Sequence, residues 1–139
     1  MFETVVRYFG FLKHVPLLPH LFDALLMIEY TLLKPKVLSY IDDIEKHVLS
    51  WNGVSAGKHR LGGIQFNVQK KEIGHIHSNG MLDILFDKNL SAKLIHEGKA
   101  TEHHTFKRSG WISFLIRNEN DKRSALELLE FSMKLKAAS

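Results

Sequence analysis

The chain has 139 residues, room for one domain, and its 45% hydrophobic and 24% charged content excludes wholesale disorder. Its 19 Lys+Arg against 15 Asp+Glu give a formal charge of +4 with no basic block, which argues against a nucleic-acid partner. The absence of cysteine excludes disulfide frameworks, thiolate metal sites and cysteine nucleophiles, and a reducing, cytoplasmic location is expected.

Residues 1–36 read as an apolar helical extension. Pro16 and Pro19 separate an aromatic segment (Phe2, Tyr8, Phe9, Phe11) from a run at 20–33 in which Leu21, Phe22, Leu25, Leu26, Ile28, Leu32 and Leu33 cover much of a helix. No basic region leads into a clean apolar core, so no signal peptide is expected. Asp23 and Glu29 interrupt an apolar stretch already shorter than the ~20 residues of a membrane span, so no transmembrane segment is expected. A helix this apolar must bury most of itself. A covering layer on the domain's own sheet ranks first, a homodimer through residues 17–33 second. A membrane surface ranks last, because the run carries no Lys or Arg.

Lys34-Pro35-Lys36 reads as a linker, and residues 37–139 as a single α+β domain. Val37, Tyr40, Ile41, Ile44 and Val48 have helical spacing, and Asn52-Gly53 ends that helix. Ile64, Phe66 and Val68 alternate with Gln65, Asn67 and Gln69 as a half-buried strand, and "EIGHIH" and "MLDILF" flank a turn at Ser78-Asn79-Gly80. Asp87 or Asn89 caps a short helix stopped by Gly98, "GWISFLIR" is a further strand, and a helix opened by Asn120 or Asp121 runs to about Lys136. This order predicts an α+β fold: an antiparallel sheet of four to five strands packed against helices.

Two-residue turns at Lys70-Lys71 and Asn79-Gly80 would set His75 opposite Phe66 and Ile84, and His77 opposite Ile64 and Leu82. Both imidazoles then lie on the apolar face, with Asp83 on the other face and Glu72 solvated beside Asp87.

Nine histidines raise the question of a metal or acid–base site. His75 and His77, two apart on one strand face, could supply two ligands and His103 or His104 a third. Spacing alone places only two, so no metal and no cofactor is expected; partly buried, hydrogen-bonded imidazoles are the plainer reading. Glu72 with Asp83 could form an acid–base pair. Arg60 with Gly62-Gly63 could face an anion, though "RLGG" lacks phosphate-loop spacing. His103, His104, Lys107 and Arg108 with Trp111 form a short basic-aromatic patch that could stack bases. Gly-x-Ser-x-Gly and His-Glu-x-x-His are both absent.

The "R-x-GG" segment, "EIGHIH", Asp83, the run from "LIHEGKA" to "SGW" and the charged start of the last helix together cover about two-thirds of the chain from His47 onward. In that combination the chain resembles a bacterial and fungal family of luciferase-like domains of unknown function; the element order is also similar to YjbR-like α+β proteins. The resemblance implies that Arg60, Glu72, His75, His77, His104 and Trp111 hold the recurring polar or aromatic positions, and it carries no catalytic assignment. The expected function is a small soluble domain that binds a small molecule or protein partner through a histidine-lined pocket. The alternatives are an enzyme using His75, His77 and His104 as acid–base groups or metal ligands, and a nucleic-acid-binding module.

Overall fold

A computed structural model describes residues 18–138, so the aromatic segment at residues 2–11 lies outside the described residues. The elements are α1 (Leu18–Leu33), α2 (Pro35–Leu49), β1 (Val54–Lys58), β2 (Ile64–Val68), β3 (Lys71–Ile76), β4 (Met81–Leu85), α3 (Lys88–His96), β5 (Thr101–Glu102), β6 (Trp111–Leu115) and α4 (Glu119–Ala137). All strand pairs are antiparallel, in one six-stranded sheet ordered β1-β2-β3-β4-β6-β5. The α+β class with a helical N-terminal region stands, with more strands than the four to five expected. In β1, "VSAGK" gave no alternation to read because four of its five residues are exposed. β5 is only two residues long.

Capping residues set the helix limits. Pro35 occupies the first turn of α2, where its missing N–H costs nothing, so the expected 34–36 linker shrinks to Lys34. The Asp87 side chain accepts from the N–H groups of Asn89 and Leu90 and opens α3. Asn118, rather than Asn120 or Asp121, caps α4 by accepting from Asp121 N–H. Val37, Ile41, Ile44 and Val48 form the buried stripe of α2; Ala125, Leu128, Leu129 and Ser132 that of α4. Both stripes meet one sheet face carrying Phe66, Ile73, Ile76, Leu82, Ile84 and Ile112, all at most 1% exposed.

The registers differ from expectation at both hairpins, and this reverses the face of the histidines. The β2–β3 turn is Gln69-Lys70, with φ of 49° and 66°, the double left-handed conformation of a type I′ turn. The β3–β4 turn has three residues, because His77 N–H bonds to Met81 C=O (2.9 Å) and Gly80 N–H to His77 C=O (2.9 Å). Gly80 supplies the left-handed residue such a loop needs, with φ of 83°. That one extra residue pairs His75 with Asp83 and Ile76 with Leu82. Ile76, not His75 or His77, therefore points into the aliphatic core. The two histidines share the opposite, polar face with Asp83.

A bulge completes the arrangement. Asn67 pairs with Glu72 and Phe66 with Gly74, leaving Ile73 as the extra residue. In a regular strand residues 72 and 75 would face opposite ways. The bulge sends Ile73 into the core at 0% exposure and brings Glu72 to the side of His75.

α1 does not cover the sheet as expected. It packs against α2 and buries Leu26, while Leu21, Leu25, Met27, Ile28, Leu32 and Leu33 remain exposed. No helix among the described residues is long and apolar enough to cross a membrane.

Candidate metal centre on the polar sheet face

Three neighbouring strands set Ser113 (β6), Asp83 (β4) and His75 (β3) in a row across the sheet. His77 follows two residues after His75 at the start of the turn, so it joins the same side. His103 arrives from the end of β5, and His59 from the β1–β2 loop. Asp83 is fully buried, and His59, His75 and His103 are each at most 5% exposed.

Asp83 organises the site. Its Oδ1 accepts from Ser113 Oγ at 2.5 Å. Its Oδ2 faces the Nε2 atoms of His77 (3.4 Å), His75 (3.5 Å) and His103 (3.5 Å). These separations exceed hydrogen-bond length, and Oδ2 is left buried without a hydrogen-bond partner. Burial alone would raise the Asp83 carboxyl pKa; the facing imidazoles of His103, His75 and His77 outweigh it and hold the group far below the usual carboxylate range.

Hydrogen bonds assign different roles to the imidazoles. His75 Nδ1 lies 2.6 Å from Glu72 Oε1. An ionised carboxylate only accepts, so Nδ1 carries the proton and donates, and Nε2 is aimed at Asp83. Burial lowers the His75 pKa, but contacts with Asp83 and Glu72 outweigh it and the net shift is upward. For Glu72, burial opposes ionisation and His75 overcomes it, giving a net downward shift.

His103 is arranged the other way round. Its Nδ1 accepts from the backbone N–H groups of Thr105 (3.0 Å) and Phe106 (3.1 Å), so in the neutral ring Nε2 holds the proton that points at Asp83. His103 thus turns an N–H, not a lone pair, toward the carboxylate, at a distance too long for a hydrogen bond. His59 Nδ1 likewise accepts from Leu61 N–H at 3.3 Å, and its ring stacks on His75 with 3.7 Å between centroids and 9° between planes. Burial, reinforced by the charge of His75, pushes its pKa down to about 4.

Among the described residues, two groups bring three ligand atoms within 4.8 Å of one another: His59, Glu72 and His75, and His75, His77 and Asp83. Geometry favours the second. Parallel stacked rings direct their in-plane lone pairs side by side, so His59 and His75 do not converge on one ion. The His75 and His77 rings are perpendicular, at 87°, with both Nε2 atoms turned to the same oxygen. Metal–ligand bonds of ~2.0–2.1 Å at tetrahedral angles separate the ligand atoms by about 3.3–3.4 Å. The distances of 3.4 and 3.5 Å to Asp83 Oδ2 match that edge.

Of the sequence-predicted site residues, His75, His77 and Glu72 meet here, and Trp111 stands beside them, its ring 5.5 Å from His75. His104 does not enter: it is exposed and stacked on His103, which takes the inward place. Arg60 is exposed in the β1–β2 loop and makes no hydrogen bond or ion pair with the cluster; its neighbour His59 is the residue that enters.

Sequence reasoning missed His59, Ser113 and above all Asp23. From α1, Asp23 Oδ2 accepts from Gly63 N–H (2.9 Å) and Oδ1 from Ser78 N–H (3.2 Å). One carboxylate thereby ties the loop carrying His59 to the turn carrying His77. The two loops are in close contact here: a Cβ on Gly63 would lie 2.3 Å from Ile76 C=O. No periodicity marks such a residue; its signal is an acid, one of two, on an otherwise apolar helix.

Residues 70–132 match the family model of the luciferase domain, which bears out the resemblance over β3 to most of α4, a shorter span than the one from His47. The match includes Glu72, His75, His77, Asp83, His103 and Trp111, and lies outside Asp23 and His59. No curated protein matches the chain, and no solved structure does.

Proposed function

We propose that this domain binds one divalent transition-metal ion through His75 Nε2, His77 Nε2 and Asp83 Oδ2. The observation that carries the reading is Asp83 Oδ2: a fully buried carboxylate oxygen without a hydrogen-bond partner, at tetrahedral-edge distance from two imidazole nitrogens. Burying an ionised oxygen without a partner is expensive, and a cation there offsets the cost. The surrounding groups suit the role. Glu72 fixes the His75 ring by accepting from Nδ1, the carboxylate–histidine arrangement that orients metal ligands. Ser113 occupies Oδ1 and leaves Oδ2 to the ion. Imidazole and carboxylate donors without thiolate suit Zn(II), Fe(II), Co(II) and similar ions.

The metal reading absorbs the ligand-binding and enzyme alternatives at one place. Two imidazoles and one carboxylate fill three coordination positions and leave others for water or a substrate, a donor set that non-haem iron oxygenases use.

The test uses full-length protein purified without a polyhistidine tag and stripped with a chelator. Titration with Zn(II), and with Co(II) followed by its visible absorption, should give one ion per chain. His77→Gln and Asp83→Asn should each abolish stoichiometric binding while the circular dichroism spectrum persists. Absence of stoichiometric binding by the parent chain, or unchanged binding by folded His77→Gln, refutes the proposal.

A further inference from the structure

α4 packs along β3 and holds its bulge from the core side. Ile73, the extra residue, is buried among the core side chains. Gly74 leaves no room behind it: a Cβ there would lie 2.9 Å from Leu129 Cδ2 and 3.0 Å from Ile84 Cγ1. About two turns after Leu129, and so on the same side of the helix, stands Lys136. Its Nζ donates to Glu72 C=O at 2.6 Å, a charge-assisted bond. Lys71 Nζ returns the tie by donating to Lys136 C=O at 3.3 Å, one of the last carbonyls that a helix leaves without an internal partner. Lys136 is half-buried, a position lysine seldom takes without a partner for its head group.

We propose that Lys136 is a positioning residue of the metal centre: by donating to Glu72 C=O it holds the bulge in the form that aims the Glu72 carboxylate at His75 Nδ1. The word metal here rests on the reading of His75, His77 and Asp83 as ligands. The chain of contacts is short. In a regular strand Glu72 and His75 would face opposite ways, so their bond of 2.6 Å exists only while the bulge keeps its shape. Ile73 and Gly74 anchor the inward side of that bulge. Lys136 anchors the peptide group of Glu72 itself, and a side chain leaves the backbone in the direction its own residue sets. The carboxylate in turn orients the imidazole that turns Nε2 toward Asp83. The last turn of the closing helix thereby reaches a ligand of the site across the sheet, through one peptide group and one carboxylate.

The test uses the full-length chain and two readouts. In the metal-free protein, the His75 Nδ1–H shared with Glu72 should appear as a downfield, slowly exchanging imidazole proton in the NMR spectrum, assigned by its loss in Glu72→Ala. Lys136→Met keeps the aliphatic stem and removes the donor and its charge. It should abolish that resonance or move it upfield while circular dichroism stays that of the parent. The second readout is Zn(II) affinity, which Lys136→Met should lower about fivefold. In a Glu72→Ala background the same substitution should change affinity by less than about twofold, because the lysine acts through that carboxylate. Lys136→Gln, shorter and neutral, should give the same losses and serves where Lys136→Met does not fold. A resonance that is absent from the parent, or that stays in place in a folded Lys136 variant, overturns the inference. So does an equal loss of affinity with and without Glu72. Failure of the parent to bind Zn(II) refutes the metal reading alone, and the proton resonance then decides the role of Lys136 by itself.

Discussion

Replacing Asp23 by alanine removes a single carboxylate that joins three separate parts of the chain. Two backbone N–H groups, Gly63 and Ser78, lose an ionised acceptor at 2.9 and 3.2 Å. A hydrogen bond to a charged group contributes about 1.5–3 kcal/mol when buried. Asp23 is only half-buried, so water replaces part of the loss. We expect about 2 kcal/mol for the pair of bonds, with Asp23→Asn, which keeps one acceptor oxygen, losing about half. With a slope near 1.5–2 kcal/mol per molar urea, the Asp23→Ala midpoint should fall by about 1 M without change of slope. Ser78 directly follows His77, so Zn(II) affinity of the same variant should also drop several-fold. An Asp23→Ala protein whose urea midpoint lies within about 0.2 M of the parent refutes the clasp.

Other expectations follow from the same contacts. Glu72→Gln keeps an acceptor for His75 Nδ1–H but removes its charge, so Zn(II) affinity should fall about tenfold in a calorimetric titration. In the metal-free protein, His59 holds a pKa of about 4 against an ordinary 6.5. Between those values the unfolded chain binds the proton and the folded one does not, so His59 makes stability drop as pH is lowered through this range, by up to about 3 kcal/mol. The raised His75 works the other way, its contribution being present below the ordinary histidine value and lost as pH rises through the folded one. His59→Gln should therefore lose less stability than the parent between pH 7 and 4.5, read by urea unfolding at each pH; equal slopes would contradict this. Gly63→Ala meets Ile76 C=O at 2.3 Å and sits at φ of 85°, so it should cost more than about 2 kcal/mol and weaken metal binding.

The sequence made the layers legible and left the site half-drawn. Helical stripes such as Val37-Ile41-Ile44-Val48 bury wholly, and the alternation of Ile64, Phe66 and Val68 marks a strand, because burial on one face writes a period into the chain. Register has no such record. Whether Asn79-Gly80 turns the chain with two residues or, as found, with three depends on the hydrogen bonds of His77, and one residue decides whether the imidazoles face aliphatic side chains or Asp83. The bulge at Ile73 is equally silent, since "KEIGHI" reads as a plain strand until Glu72 and His75 are found on one side. Contacts between distant segments lie further still from the pattern. His103 rather than His104 turns inward because the Thr105 and Phe106 amides hold its ring, and Asp23 reaches Ser78 across 55 positions.

The most direct test of the metal centre is X-ray absorption at the zinc edge on the stoichiometric Zn(II) complex. The account calls for two imidazole nitrogens and oxygen donors at about 2.0–2.1 Å. His103→Gln should leave the imidazole count at two, because that ring turns its Nε2–H rather than a lone pair toward Asp83 and does not ligate. A shell of three imidazoles that falls to two in His103→Gln, or one of oxygen alone, would contradict it.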